Sequence, residues 1–291
     1  MRLFRFERED GSVGCGVGTP AGGLVDAGVV ATNYDEAFFV ADGMERLREW
    51  VDGGMTGGKE LSGQEKRLAP VARPSKIICV GQNYAAHAAE MGGEVPTEPL
   101  LFMKASSSWS GPEELVLVPP GSKKLDYEVE LAVVIGKYLE NRAVHVEQTD
   151  VLNVIAGYSV FCDYSERAWQ KEHGGQWVKG KSYDSFAPMG PALVTPEEVP
   201  DPQALRLWSQ VNGEMRQKSS TADMIFPVLE IVSYISRFMA LLPGDVIATG
   251  TPSGVGGGFD PPRFLKAGDT VEVGVEGLGI MRQTVRAAEE V

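Results

Sequence analysis

Residues 124–136 read KLDYEVELAVVIG, and this stretch decides most of what the sequence says about the fold. Its acidic opening passes directly into an apolar run, a pattern typical of a β-strand that is buried on both faces. Side chains alternate between the two faces of a strand, so Glu128 and Glu130 point to the same side. Asp126 would join them if the strand began that early. The opposite side carries the apolar residues Leu131, Val133 and Ile135.

These acidic residues allow two interpretations. Neighbouring glutamates repel each other unless something positive lies between them, and Mg²⁺ and Mn²⁺ prefer carboxylate oxygens. A third carboxylate, Asp163, follows a strand predicted over residues 156–162 and could complete a metal site. Alternatively, Glu128 and Glu130 form the solvated face of a half-exposed strand. The alternating pattern alone favours the second interpretation, whereas the apolar continuation argues against it.

The rest of the chain predicts a β-rich α+β fold. Short apolar runs separated by many of the 35 glycines and 18 prolines indicate strands and turns. Helical spacing of apolar residues predicts helices over 35–51 and 224–239. A stretch rich in Gly, Pro and charge precedes residue 76. We therefore predict a small N-terminal domain and linker over 1–72 and a larger domain over 73–291.

Composition limits the classes of function. With 27 basic and 40 acidic residues the chain has a formal charge of −13, which argues against nucleic-acid binding. The N-terminus lacks the apolar run of a signal peptide, and no segment has the length of a membrane span. The three cysteines form neither a zinc pattern nor a disulfide framework. We expect a cytoplasmic protein that does not associate with membranes.

A histidine and a glutamate form a candidate catalytic pair. His87 and Glu90 are three residues apart in a predicted helix, so they occupy neighbouring positions on one helix face. A carboxylate beside an imidazole fixes its tautomer and raises its basicity, which suits a general base. Taken alone, such a pair is more often an exposed surface pair.

Two lysines and a glycine-rich turn supply candidate anion-binding groups. Lys179 and Lys181 follow the third carboxylate, and an ammonium near a metal could hold a substrate carboxylate or an oxyanion. Taken alone, they are more simply surface residues. Residues 250–256, GTPSGVG, lack the ending of a phosphate-binding loop, although Thr251 could still face an anion.

Together, six segments between residues 77 and 281 resemble the fumarylacetoacetate hydrolase superfamily. They are VGQNYAAHAAE, PLLFMKASSSWSGP, VPPGSKKLDYEVELAVVIGK, GYSVFCDYSERAWQ, GGQWVKGKSYDSFAPMGPALVT and GDVIATGTPSGVG. The resemblance implies a mixed β-sandwich roll, usually a homodimer, here preceded by a smaller N-terminal domain. The resemblance predicts no specific role for the first 70 residues.

The resemblance also assigns roles to individual residues. The metal ligands of the family, for Mg²⁺ or Mn²⁺, fall on Glu128, Glu130 and Asp163. The catalytic residues fall on His87, Glu90 and Lys181, with the first two in a segment that acts as a lid in relatives. The substrate-contacting positions fall on Arg167, Gln170 and Thr251, with Tyr84 and Lys104 as further candidates.

The reaction implied is hydrolysis of the C–C bond of a 2,4-dioxo acid to pyruvate and a carboxylic acid. Residues 166–177, ERAWQKEHGGQW, are similar to the branch that contains hydrolases of acylpyruvates and of 2,4-dioxo-3-deoxy sugar acids. Two alternatives stay open, because one site can support several reactions. The first is an oxaloacetate decarboxylase or a 2-oxo acid isomerase or hydratase. The second is a non-catalytic protein that binds a metal and a 2-oxo acid.

Overall fold

The computed structural model describes residues 1–19, 22–140 and 148–290, which form nineteen β-strands. The first nine are β1 (Arg2–Glu7), β2 (Val13–Gly18), β3 (Leu24–Asp26), β4 (Lys59–Glu60), β5 (Arg67–Leu68), β6 (Ile77–Gly81), β7 (Leu100–Lys104), β8 (Trp109–Ser110) and β9 (Val116–Val118). The others are β10 (Leu125–Asp126), β11 (Val129–Ile135), β12 (Ile155–Cys162), β13 (Ser165–Glu166), β14 (Ala187–Val194), β15 (Arg206–Val211), β16 (Glu214–Ser220), β17 (Val246–Ala248), β18 (Thr270–Val275) and β19 (Gly279–Ala287).

The helices are short. They are α1 (Glu36–Val40), α2 (Gly43–Asp52), α3 (Ala85–Glu90), α4 (Gln148–Leu152), α5 (Arg167–Lys171), α6 (Val178–Lys181) and α7 (Val228–Ser236). Single 3₁₀ turns occur at Ser106–Ser108, Pro196–Glu198, Thr221–Asp223, Gly256–Gly258 and Ala288–Glu290. None of the helices in the described ranges combines the length and the apolar composition that a membrane crossing needs.

A large mixed sheet runs through the molecule in the order β4-β3-β2-β1-β14-β12-β11-β17-β6-β7, with β5 beside β1 and β8 beside β14. Strand pairs β6/β17 and β8/β14 are parallel, whereas β11 lies antiparallel to both β12 and β17. The N-terminal strands belong to the same sheet, because β1 pairs with β14.

The large sheet is covered on both faces, which explains why β11 is buried along its whole length. On one face lie α7 and a second sheet of order β16-β15-β18-β19-β9. The core on that face includes Leu131, Val133, Ile135, Ile231, Ile235, Val271 and Val273. On the other face pack α1 and α2, together with inward-facing side chains of the N-terminal strands of the sheet. That core includes Leu3, Val17, Phe39, Leu47, Ala132 and Val134.

The predicted β-rich α+β class is confirmed, and the differences from the predicted elements have local causes. The helix expected over 35–51 is divided into α1 and α2, because Asp42 adopts a left-handed backbone (φ 53°). The helix expected over 224–239 is shorter, because Pro227 occupies its N-cap and the chain before it is extended. The linker contains β4 and β5, and the division into 1–72 and 73–291 stays a prediction.

Candidate active site

Neighbouring strands bring three carboxylates together. Residues 124–136 do not form one continuous strand, because β10 ends at Asp126 and β11 begins at Val129. Glu128 lies at this break, and its carbonyl oxygen accepts a hydrogen bond from Asp163 N (2.9 Å) just beyond the end of β12. One residue into β11, Glu130 accepts a hydrogen bond through Oε2 from Gly250 N (2.7 Å), which follows β17.

Glu128, Glu130 and Asp163 each place a carboxylate oxygen within 4.8 Å of the others. Glu128 is 4 % exposed, Glu130 2 % and Asp163 0 %, which rules out the solvated strand face. Burial, then Asp163 and Glu128, raise the pKa of Glu130 well above its usual value. Burial also acts to raise the pKa of Glu128, but Arg167 and Lys181 outweigh it, and the pKa is lowered.

Buried cations surround this acid cluster. Lys181 donates to Glu128 Oε2 and to Asp163 Oδ2, at 2.5 Å in each case. Lys104 pairs with Asp163 and also donates to Tyr164 O (3.1 Å). Arg167 Nη2 lies 2.7 Å from Glu128 Oε1. The cations therefore compensate Glu128 and Asp163 directly, whereas Glu130 has a backbone amide as its nearest partner.

The cluster has the donor chemistry of a divalent-metal site. It offers only carboxylate oxygens, the ligand type that hard divalent cations prefer. The raised pKa of Glu130 shows that a third charge is held unfavourably in this low-dielectric position. A divalent cation among the three oxygens would relieve that repulsion, so the residues fit such an ion. Asp126, the fourth acid considered from sequence, lies outside the cluster.

Of the predicted His–Glu pair, His87 is buried beside the acid cluster and Glu90 is half-buried. His87 lies on α3 and is 5 % exposed. Its Nδ1 lies 2.8 Å from Glu90 Oε1, and its Nε2 lies 4.0 Å from Glu128 Oε1. A carboxylate on Nδ1 favours the tautomer that carries a proton there, which leaves a free electron pair on Nε2. The acceptor nitrogen is thus directed toward the cluster.

A glycine-rich turn connects this pair to the arginine on the other side of the site. Gly254 N donates to Glu90 Oε2 (2.9 Å). Two residues on, the amides of Gly256 (2.6 Å) and Gly257 (2.9 Å) donate to the carboxylate of Asp126, which also accepts from Arg167 Nε at 2.8 Å. Asp126 therefore orients Arg167 and the turn. Sequence reasoning had considered it only as an extra metal ligand.

A cavity opens between these groups. Of the predicted site residues, it is lined by His87, Glu128, Glu130, Arg167, Gln170, Lys181 and Thr251. Gln170 accepts from Arg167 Nη1 (3.1 Å), and Thr251 donates to Val129 O (2.9 Å). The apolar wall is made by Phe102 and Trp177, whose rings meet edge to face with centroids 5.2 Å apart. Sequence reasoning missed several lining residues: Gln82, Met91, Phe102, Lys171 and Trp177.

The remaining candidates lie outside the cavity lining. Tyr84 is 2 % exposed within the hydrophobic core, and burial and Glu130 raise the pKa of its phenol. Lys104 pairs with Asp163 of the acid cluster but does not line the cavity. Lys179 is exposed and donates to His173 O (2.7 Å), away from Glu128 and Asp163. The substrate-binding roles of Tyr84 and Lys104 stay predictions.

Close packing of Gly180 positions Lys181. A Cβ at this residue would lie 2.5 Å from Glu166 O and 2.6 Å from Gln170 N, both backbone atoms. We expect Gly180→Ala to lower the free energy of unfolding by about 1–3 kcal/mol and to reduce turnover. Denaturant unfolding and steady-state kinetics measure both, with Val178→Ala on the exposed side of α6 as control. An unchanged stability with full activity would contradict this role.

Comparison with known proteins agrees with this geometry. The family model for the C-terminal domain of fumarylacetoacetate (FAA) hydrolase matches residues 76–286, most of the chain. The chain belongs to the fumarylacetoacetate hydrolase family. The predicted α+β roll of this type is confirmed by a fumarylacetoacetate hydrolase structure from Exiguobacterium antarcticum. That structure has a TM-score of 0.85 and 37% identity, with 99% of each chain covered.

Two curated relatives are more similar in sequence. A Burkholderia ambifaria protein that carries only a provisional hydrolase name is 51% identical over 229 residues, covering 78% of this chain and 80% of the relative. The mitochondrial oxaloacetate tautomerase of Rattus norvegicus is 48% identical over 214 residues, covering 74% of this chain and 67% of the relative. Sequence and structure therefore both place the chain in this family, while the names of the relatives describe different reactions.

Proposed function

We propose that this protein is an Mg²⁺- or Mn²⁺-dependent enzyme that hydrolyses the C–C bond of a 2,4-dioxo acid, an acylpyruvate or a 2,4-dioxo-3-deoxy sugar acid. The observation that carries the proposal is the orientation of His87. Its Nδ1 is held by Glu90 at 2.8 Å, and its Nε2 faces the acid cluster, 4.0 Å from Glu128. This is the geometry of a base that removes a proton from a molecule bound at the cluster.

In this proposal Glu128, Glu130 and Asp163 hold the divalent ion, which when bound supplies Lewis-acid polarisation of the 2-oxo acid. The substrate carboxylate lies near Arg167, Gln170 and Thr251, which line the same cavity.

The chemical step uses His87 and Lys181. His87 Nε2 takes a proton from water, and the resulting hydroxide adds to the 4-carbonyl. The C3–C4 bond then breaks, its electron pair forms the enolate of pyruvate, and a carboxylic acid leaves. The enolate regains a proton at C3, for which protonated His87 is the donor. The Lys181 ammonium lies close enough to the cluster to stabilise developing oxyanion charge.

A second candidate is keto–enol tautomerisation of a 2-oxo dicarboxylic acid such as oxaloacetate. The 48% identical tautomerase supports it, since its reaction needs the same kind of base and the same enol form. Here His87 would remove a proton from C3, which breaks a C–H bond, and return one to the enol oxygen, with no carbon–carbon bond broken. The two candidates differ in whether His87 activates water or acts on the substrate.

The test follows the enol ultraviolet absorbance of acylpyruvates, sugar-derived dioxo acids and oxaloacetate with Mg²⁺, with Mn²⁺ and with chelator. A coupled assay detects released pyruvate. Metal-dependent loss of absorbance with release of pyruvate from a dioxo acid supports hydrolysis. Faster equilibration of oxaloacetate without pyruvate supports tautomerisation, and pyruvate from oxaloacetate supports decarboxylation. A metal-loaded protein inactive on all of them would contradict both candidates. The homodimer and the cytoplasmic location stay predictions.

A further inference from the structure

The strand that carries Glu130 loses one of its two neighbours before it reaches the acid cluster. On one edge β11 pairs with β12 along its length, but on the other edge β17 pairs with it only over residues 132–134. At Val129, between Glu128 and Glu130, the described strands provide no neighbour on the β17 edge. Because buried backbone groups need hydrogen-bond partners, side chains have to replace the missing strand there.

Two side chains supply these partners and bind each other. Val129 N donates to Gln217 Oε1 (3.1 Å), and Val129 O accepts from Thr251 Oγ1 (2.9 Å). Gln217 Nε2 donates to the same Thr251 Oγ1 (2.8 Å). The three hydrogen bonds close a ring from the amide of Val129 to its carbonyl. This ring fixes the edge of the strand at the residue that separates Glu128 from Glu130.

Gln217 is itself held in one orientation. It lies on β16 in the second sheet and is fully buried. Its Oε1 also accepts from Ser209 Oγ (2.9 Å), and its Nε2 also donates to Pro252 O (2.8 Å), so both donors and both acceptor positions of the amide are used. Gln217 does not line the cavity, and it therefore acts on the site only through the residues that it holds.

We propose that Gln217 is a positioning residue that holds Glu128 and Glu130 in the arrangement that suits a small divalent cation, and thereby sets the preference of the site for Mg²⁺ over Ca²⁺. The inference rests on the proposed function for the presence of the ion. The two acids flank Val129, so the ring that fixes this residue also fixes the directions in which both side chains leave the backbone.

The two cations differ in how much they depend on such a fixed arrangement. Mg²⁺ demands nearly octahedral oxygens at about 2.0–2.1 Å, whereas Ca²⁺ accepts about six to eight oxygens at about 2.3–2.6 Å in flexible geometry. Loosening the strand at Val129 should therefore weaken the binding of Mg²⁺ more than that of Ca²⁺. A role of Gln217 in stability alone would not change the ratio of the two affinities.

The experiment measures metal binding without substrate. Dissociation constants for Mg²⁺ and for Ca²⁺ are measured by calorimetry on the metal-free full-length protein, after thermal unfolding has shown that each variant is folded. Gln217→Met keeps the length of the side chain and removes its four hydrogen bonds, and Thr251→Val keeps the shape and opens the same ring from the other side. Gln203→Met is the matched control, because this half-buried amide binds Thr221 O and Val228 N, neither of which lines the cavity.

We expect Gln217→Met and Thr251→Val each to weaken Mg²⁺ binding by about tenfold and Ca²⁺ binding by less, so that the preference for Mg²⁺ falls. The double variant should bind Mg²⁺ about as tightly as the single variants, because both substitutions open one ring. Gln203→Met should lower the Tm through its lost hydrogen bonds and leave both dissociation constants unchanged.

An unchanged ratio of the two dissociation constants in Gln217→Met would overturn the role of Gln217 and leave the proposed function intact. If Gln217→Met does not fold, the ratio in Thr251→Val decides in the same way. Losses that multiply to about a hundredfold in the double variant would also overturn it, because the two residues would then act independently. The expected shifts in a protein that turns over no 2-oxo acid would support the role of Gln217 and contradict the proposed function. A wild type that binds neither cation would overturn both.

Discussion

Glu130→Gln is expected to reduce kcat/KM by about 10²–10⁴ and to weaken binding of the divalent ion. The substitution keeps the size of the side chain and the acceptor for Gly250 N, but removes one of the three carboxylates. Lewis-acid polarisation is worth several kcal/mol in the transition state, and each 1.4 kcal/mol is about a factor of ten in rate. Kinetics over a range of Mg²⁺ and Mn²⁺ concentrations measures both effects.

The same substitution should stabilise the metal-free protein. Burial, then Asp163 and Glu128, raise the pKa of Glu130 above its unfolded value, so the folded state holds the proton more tightly. The resulting stability is fully present below the unfolded pKa and is lost as pH rises through the folded pKa. Glutamine never ionises and avoids this loss. With chelator, the Tm of Glu130→Gln should exceed that of the wild type more at pH 8 than at pH 5.

Added metal should reverse the order of the two Tm values, so that the wild type becomes the more stable protein. Mg²⁺ or Mn²⁺ binds the folded wild type and raises its Tm, whereas Glu130→Gln should gain little. Thermal unfolding with and without metal at both pH values gives the comparison. Glu113→Gln, at an exposed position, controls for the change in net charge. A wild-type Tm that neither metal changes, or a metal-induced rise in Tm that is the same in Glu130→Gln, would contradict the proposed metal site.

The sequence predicted the shared direction of these acids but not their burial. Alternation along a strand places Glu128 and Glu130 on one side, and β11 confirms the apolar residues opposite. Whether that acidic side meets water depends on distant parts of the chain. Lys181 arrives from α6 and Gly250 follows β17, so the periodicity of one strand cannot reveal them. Ordered motifs across the chain supplied that information instead.

Local patterns also failed where one residue changes the backbone or acts through another segment. The predicted helix over 35–51 has continuous apolar spacing, yet Asp42 interrupts it with a positive φ. No local sequence pattern shows whether Asp126 positions neighbouring groups or binds a metal. Its partners Gly256 and Gly257 lie 130 and 131 residues away along the chain.

His87→Ala is expected to lower kcat by about 10²–10⁴ for either reaction, because both need a base at Nε2. Metal binding should persist, since His87 is not one of the three clustered acids. Kinetics with saturating metal measures the loss. The metal-induced rise in Tm serves as the internal control that the site is folded. Full turnover in His87→Ala would refute the assignment of the base.

Glu90→Gln separates orientation from proton transfer. The amide oxygen of glutamine could still accept from Nδ1–H, but it would lower the basicity of Nε2 and place an NH₂ group opposite Gly254 N. We expect a smaller loss of kcat than for His87→Ala, about tenfold, with KM nearly unchanged.

A decarboxylase would respond differently, because loss of carbon dioxide needs no base to start it. Pyruvate release from oxaloacetate that both substitutions leave unchanged, while dioxo acid cleavage falls in each, would therefore separate metal-assisted decarboxylation from the proposed action of His87 on water.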